Sequence, residues 1–173
     1  MNIRRARYFE RNGQIICSTS RCASTTMALT LDQRFTDFNS HRGADTVDFT
    51  GKEVFLWIRN PYDRLESTYK LFRSLSPETF GAQILKRDDI HWIPQIDTHT
   101  VNGVFVPTVV MRFEDFATTW PQHFPDVVLD MARDHPQPKK VSWANLSAAM
   151  PAEMVAALDA KYAADMALWS ALP

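Results

Sequence analysis

Residues Val54-Phe55-Leu56-Trp57-Ile58 are apolar without a break and run directly into Arg59-Asn60-Pro61-Tyr62-Asp63. A strand with no polar alternation is one covered on both faces, which is the environment of a central strand in a parallel sheet. The residues after it are a strong helix start: Asn60 as cap, Pro61 at the first helical position and Asp63 in the first turn. A buried strand feeding a capped helix is half of a β-α-β unit, so this segment constrains the chain towards an α/β fold.

Other segments extend the pattern. Gln14 to Ser18 reads as a short buried strand after a turn at Asn12-Gly13, and Ser24 to about Leu31 as a helix capped by Ser24 or Thr25. Arg34 to Phe38 is a candidate second strand, and Thr108 to Phe113 a further buried one. Glu114 to Trp120 is expected to start a helix. The region 73–102 reads as irregular, and 121–145, with four prolines, as mostly loop with one short helix. Pro151 to Trp169 reads as an amphipathic helix with Met154, Val155, Leu158, Tyr162, Met166 and Trp169 on one stripe. The expectation is one domain over residues 1–173 with a central, mainly parallel sheet flanked by helices.

Composition narrows the function. The chain has 173 residues, 45% hydrophobic and 23% charged, with a net charge of −1. That charge gives no basis for nucleic-acid binding, so any basic site must be local. No apolar run is long enough to span a bilayer, and the basic N-terminus lacks a signal-peptide core. A cytoplasmic protein without membrane insertion is expected. Two cysteines, Cys17 and Cys22, are too few for a disulfide framework.

Two strand-to-helix turns carry the chemistry. Ser20-Arg21-Cys22-Ala23-Ser24-Thr25-Thr26 combines small residues, three hydroxyls and an arginine, a composition that can wrap an anion. It lacks the Gly-Lys-Ser/Thr ending of a Walker loop. The alternative is a Ser/Thr-rich turn with a surface arginine. In the second turn the strand ends in Arg59, where a magnesium-dependent kinase commonly has an acid. Ser67 lies two helical turns past Asn60, so Arg59 and Ser67 can share one phosphate. The alternative is an arginine paired with a carboxylate. Two anion sites at the carboxyl edge of one sheet point to a ligand with two separated anionic groups.

Together these turns resemble the PAPS-dependent sulfotransferases, closest to the carbohydrate-type branch, whose donor is 3′-phosphoadenosine 5′-phosphosulfate. Ser20 to Thr26 stands in place of that family's 5′-phosphosulfate loop, with Arg21 for its usual lysine and Ala23 for its usual glycine. Arg59-Asn60-Pro61-Tyr62-Asp63-Arg64-Leu65-Glu66-Ser67 matches its 3′-phosphate segment position for position. His91-Trp92-Ile93-Pro94-Gln95, Met111 to Phe116 and Lys161-Tyr162-Ala163-Ala164-Asp165 are weaker echoes of family segments.

The resemblance implies a three-layer P-loop-like fold and metal-independent sulfuryl transfer to a hydroxyl or amine, with a carbohydrate or small metabolite as acceptor. It implies donor binding by Arg21, Cys22, Ala23, Ser24, Thr25, Thr26, Arg59 and Ser67, with Arg21 also stabilising the departing phosphate. For the base that takes the acceptor proton, His41 is the first candidate and His91 the second, with Asp37 and Glu66 as carboxylate alternatives. Lys139 and Lys140 are candidates for a further basic element. Two rival readings are an ATP-dependent P-loop-like kinase and a non-catalytic nucleotide- or sulfate-binding module. Neither the acceptor nor the oligomeric state is legible in the residues.

Overall fold

Strand β5 (Glu53–Ile58) lies in the interior of a mixed sheet, and its apolar run is explained by cover on both faces. The structure, a computed structural model, describes residues 5–22, 24, 27, 31, 36–37, 42–128 and 141–173. The other strands of this sheet are β1 (Arg5–Arg11), β2 (Gln14–Ser18), β3 (Thr36–Asp37), β4 (Arg42–Gly43) and β8 (Val109–Arg112). The order is β3-β1-β2-β5-β8, with β4 also paired to β1. Strands β2, β5 and β8 are parallel, with Cys17 opposite Leu56 and Ile58 opposite Arg112.

Phe55 and Trp57 point to one face, where they pack with Met27, Leu31, Phe116, Trp120 and Phe124. Val54 and Leu56 point to the other, against Tyr8, Ile15, Cys17 and Ala44. The first face is covered by helix, since Met27 and Leu31 are helical and Phe116 and Trp120 belong to α4 (Phe116–His123). The fold is therefore α/β, with helices flanking a mixed sheet.

Strand β1, between β3 and β2, does not stand out in the sequence. Its sequence, Arg-Ala-Arg-Tyr-Phe-Glu-Arg, carries too many charges to stand out as a buried strand, yet Ala6, Tyr8 and Phe9 are buried. The Asn12-Gly13 turn, with φ of 51° and 78°, closes it on β2 as an antiparallel hairpin. Antiparallel pairs of β1 with β2, β3 and β4 make this side of the sheet mixed. Of the candidate strand Arg34–Phe38, the described part Thr36–Asp37 is a strand.

Beyond the sheet a helical cluster is built on α1 (Pro61–Tyr69). Asn60 caps it as expected, its side chain accepting from the Tyr62 and Asp63 N–H groups. The region 73–102 is more ordered than its composition implied. It holds α2 (Pro77–Lys86), α3 (Gln95–Thr98) and a hairpin of β6 (Thr100–Val101) and β7 (Val104–Phe105). Ser76-Pro77 starts α2 by the same cap-and-proline chemistry as Asn60-Pro61, with Ser76 Oγ accepting the Thr79 N–H at 3.1 Å.

Of the segment 121–145, expected to be mostly loop with one short helix, residues 129–140 lie outside the described residues. Helix α4 runs through Pro121 to His123, and α5 (Trp143–Ala148) is the short helix. Helix α6 (Ala152–Ala171) is the long terminal one. It packs closely on α2 at Gly81, where a Cβ would sit 2.5 Å from the Met154 sulfur. The buried positions of α6 are Leu158, Tyr162 and Asp165, so its inner stripe contains a carboxylate the apolar pattern did not indicate. Among the described residues no helix is long and apolar enough to cross a membrane.

Candidate functional site

The parallel strands β2, β5 and β8 end on the same edge of the sheet, and the turns that leave them form the candidate site. After β2 the chain makes a β-turn, closed by the Cys22 N–H donating to the Thr19 carbonyl at 3.1 Å. Arg21 occupies its third position with φ of +70°, a backbone conformation that favours glycine. This strained placement aims the Arg21 side chain at α1. Its Nε and Nη2 donate to Ser67 Oγ at 3.1 and 2.9 Å.

Arg59 leaves β5 beside this turn. Its Nη1 donates to the Arg21 carbonyl at 3.1 Å, and its guanidinium lies 5.4 Å from the Phe113 ring centroid. The Arg59 guanidinium thus rests against the Arg21 backbone, and its charge acts on the Arg21 side chain. Among the described residues neither Arg21 nor Arg59 has a carboxylate within ion-pair distance. Burial, and after it the Arg59 charge, pull the Arg21 guanidinium below its ordinary pKa. An anion placed here relieves the repulsion between the two cations. Arg59 also lines a cavity of about 240 Å³ with Asp63, Phe113, Glu114, Phe116 and Ala117.

The convergence differs from the sequence expectation in one respect. Arg59 and Ser67 were expected to share a phosphate, but here the Ser67 oxygen accepts Arg21. Its own O–H proton has no acceptor among the described residues and remains free for a ligand oxygen. Cys22 has a structural part: its N–H closes the turn and its thiol donates to Gln95 Oε1 at 3.3 Å. Burial pushes that thiol up to about 11, partly offset by Arg64 and Arg59, so it is protonated and able to donate. Ser24 is helical and partly exposed, while Ala23, Thr25 and Thr26 lie outside the described residues.

The candidate bases are placed unequally. His41, Lys139 and Lys140 lie outside the described residues. The His91 ring is partly exposed, with Nδ1 2.6 Å from Asp89 Oδ1 and its face near Phe72. Among the described residues it touches neither Arg21 nor Arg59. Of the carboxylate alternatives, Glu66 accepts the Trp143 N–H, and Asp37 lies on strand β3.

Four residues that were given no role hold the site together. Arg64, 1% exposed, donates from Nε to the Ser20 carbonyl at 3.1 Å, from Nη1 to Ile93 at 2.7 Å and from Nη2 to Ile90 at 3.2 Å. Gln95 bonds the Arg59 backbone and the Cys22 thiol. Asp165 accepts the Gln95 and Ile96 N–H groups at 2.7 and 2.9 Å. His99 Nε2 lies 2.9 Å from Thr19 Oγ1, and its Nδ1 3.4 Å from the Tyr8 hydroxyl.

A signal existed for three of them. Arg64 lies inside the Arg59–Ser67 segment, and Gln95 and Asp165 end two of the three weaker echoes. Those echoes meet in space: Tyr162 OH donates to the Trp92 carbonyl, and Asp165 holds the start of α3. The third echo also joins the site, because Glu114 accepts the Asn60 N–H and the Trp169 indole N–H through its two oxygens.

The arrangement defines a cationic edge of an α/β protein, where Arg21 and Arg59 meet beyond the ends of β2 and β5. The chain matches no protein-family model, no curated protein and no solved structure.

Proposed function

We propose that this protein is a PAPS-dependent sulfotransferase with a P-loop-like, three-layer arrangement, acting on a hydroxyl or amine of a carbohydrate or small-molecule acceptor. The observation that supports this most is the pair of neighbouring arginines, Arg21 and Arg59, without carboxylate partners among the described residues. They sit where the turns of two parallel strands meet. The sequence resemblance assigns the first turn to the phosphosulfate and the second to the 3′-phosphate.

In this reaction the acceptor oxygen or nitrogen attacks sulfur while the bond from sulfur to the 5′-phosphate oxygen breaks. The electron pair stays on that phosphate oxygen, and the acceptor proton passes to a base. Arg21 is placed to offset the charge that grows on the departing phosphate. Arg59 and the free Ser67 proton hold the 3′-phosphate, which does not react. Because the transferred SO₃ unit is formally neutral, less charge needs compensation than in phosphoryl transfer, and the proposal includes no metal.

Thermal unfolding with 3′-phosphoadenosine 5′-phosphate, ATP and AMP tests the reading. At a hundred times its dissociation constant the bisphosphate should stabilise by about 2.7 kcal/mol, raising Tm by roughly 5–10 °C. Arg59→Ala should lose a charge-assisted bond of about 1.5–3 kcal/mol, weakening that ligand roughly 10- to 100-fold. Equal shifts with AMP would overturn the proposal. ATP turnover that requires magnesium would indicate a kinase, and bisphosphate binding without transfer to any acceptor a binding module.

The base is resolved by transfer rates. Removing a general base costs about 10²- to 10⁴-fold in turnover. His41→Ala should show that loss with donor affinity unchanged. A loss confined to His91→Ala would move the role to His91, whose contact with Asp89 suits a base held in one orientation.

A further inference from the structure

Gln95 is fully buried, and its side chain reaches both arginine-bearing turns. Oε1 accepts the Arg59 N–H at 3.1 Å and the Cys22 thiol at 3.3 Å. Nε2 donates to the Arg59 carbonyl at 2.8 Å. The Gln95 backbone is itself fixed, because Asp165 on α6 accepts its N–H and that of Ile96. The amide therefore spans the gap between the turn after β2 and the end of β5, and it is anchored from a third element.

The residue type fits this task closely. One oxygen with two lone pairs meets two donors, and the NH₂ group meets a carbonyl. Glutamate lacks the donor for the Arg59 carbonyl, and methionine offers neither function. Simple packing of the core requires none of these bonds.

We propose that Gln95 is the positioning residue that sets the spacing between the two anion turns, so that preference for a nucleotide phosphorylated at both ends depends on it. The inference rests on the sulfotransferase reading. A ligand gains from two phosphate contacts only when both sites are held at its own phosphate spacing; otherwise making the second contact requires the protein to be ordered. The Arg59–Arg21, Arg21–Ser67 and Arg64–Ser20 bonds also tie the turns, so with the clamp cut each turn keeps its arginine and binds a monophosphate as before, while the two contacts reinforce each other less.

Calorimetric titrations with 3′-phosphoadenosine 5′-phosphate, adenosine 5′-monophosphate and adenosine 3′-monophosphate test this on the wild type, Gln95→Met and Cys22→Ala. Gln95→Met cuts both arms of the clamp. Cys22→Ala cuts only the arm to the first turn and keeps the proposal testable if Gln95→Met fails to fold. The affinity ratio of bisphosphate to monophosphate should fall about tenfold in Gln95→Met, and by a smaller factor in Cys22→Ala, with monophosphate affinities unchanged. A preserved ratio in the folded variants, or equal weakening of all three nucleotides, would overturn the clamp and leave Gln95 a structural residue. A wild type without preference for the bisphosphate would overturn the sulfotransferase reading itself, and that result is visible before any variant is compared.

Discussion

Arg64→Met should destabilise the protein by about 3–5 kcal/mol, one of the largest effects of any single substitution here. The guanidinium is 1% exposed and gives hydrogen bonds to the Ser20, Ile90 and Ile93 carbonyls. A hydrogen bond from a charged donor is worth about 1.5–3 kcal/mol, and a buried carbonyl left without a partner carries a desolvation cost. Against this stands the cost of burying a cation with no carboxylate at ion-pair distance among the described residues, which methionine removes. Three bonds outweigh that relief, because all three acceptors lie in a packed region and belong to two segments that Arg64 joins.

Urea unfolding at neutral pH measures the difference, and a Tm lower by roughly 10 °C should accompany it. Under the proposed function, affinity for 3′-phosphoadenosine 5′-phosphate should fall as well, since the Ser20 carbonyl belongs to the turn that presents Arg21. A loss below about 1 kcal/mol would mean that water replaces the guanidinium at these carbonyls.

The second large effect depends on pH. His99 is fully buried between Thr19 and Tyr8, and burial, followed by the Arg64 charge, pulls its pKa down to about 3 from an ordinary 6.5. The folded protein therefore keeps His99 neutral through the range in which the unfolded chain takes up a proton. The stability this group contributes is complete above pH 6.5 and is lost as pH falls towards 3. The shift corresponds to about 4–5 kcal/mol over the whole window, at up to about 1.4 kcal/mol per pH unit.

Urea unfolding of the wild type and His99→Gln at several pH values isolates this term, with the variant showing the shallower acid slope. Parallel slopes would show that His99 is not held neutral. Asp165 has the opposite sign, because burial raises its pKa and favours its protonated form in the folded state. Its contribution is common to both proteins and cancels in the comparison.

How far the site was legible follows from where its partners lie. The Asn60 side chain accepts N–H groups two and three residues on, and Pro61 pre-sets the first helical φ, so the start of α1 was readable from adjacent letters. Ser76-Pro77 carried the same local chemistry, but the irregular composition around it obscured α2. Strand β1 was missed because Arg5, Arg7 and Arg11 break its apolar pattern. Its Asn12-Gly13 turn was the available signal. Arg21, Arg59 and Ser67 were picked out as residue types in two turns, yet their contacts were not foreseen: the Ser67 oxygen serves Arg21.

The sequence by itself determined the three parallel strands, the capped helix after β5, the terminal helix and the two arginine-bearing turns. These rest on interactions within a few residues: apolar continuity, cap hydrogen bonds and helical spacing. Only the tertiary structure decided that the two turns join into one cationic edge and that Arg64, Gln95, His99 and Asp165 are buried beneath it. A polar residue in a sequence carries no mark of burial, because burial is tolerated only if its partners arrive in place. Here those partners are 70 residues away for Gln95 and Asp165, 80 for Thr19 and His99, and 91 for Tyr8 and His99, so only the folded chain could bring them together.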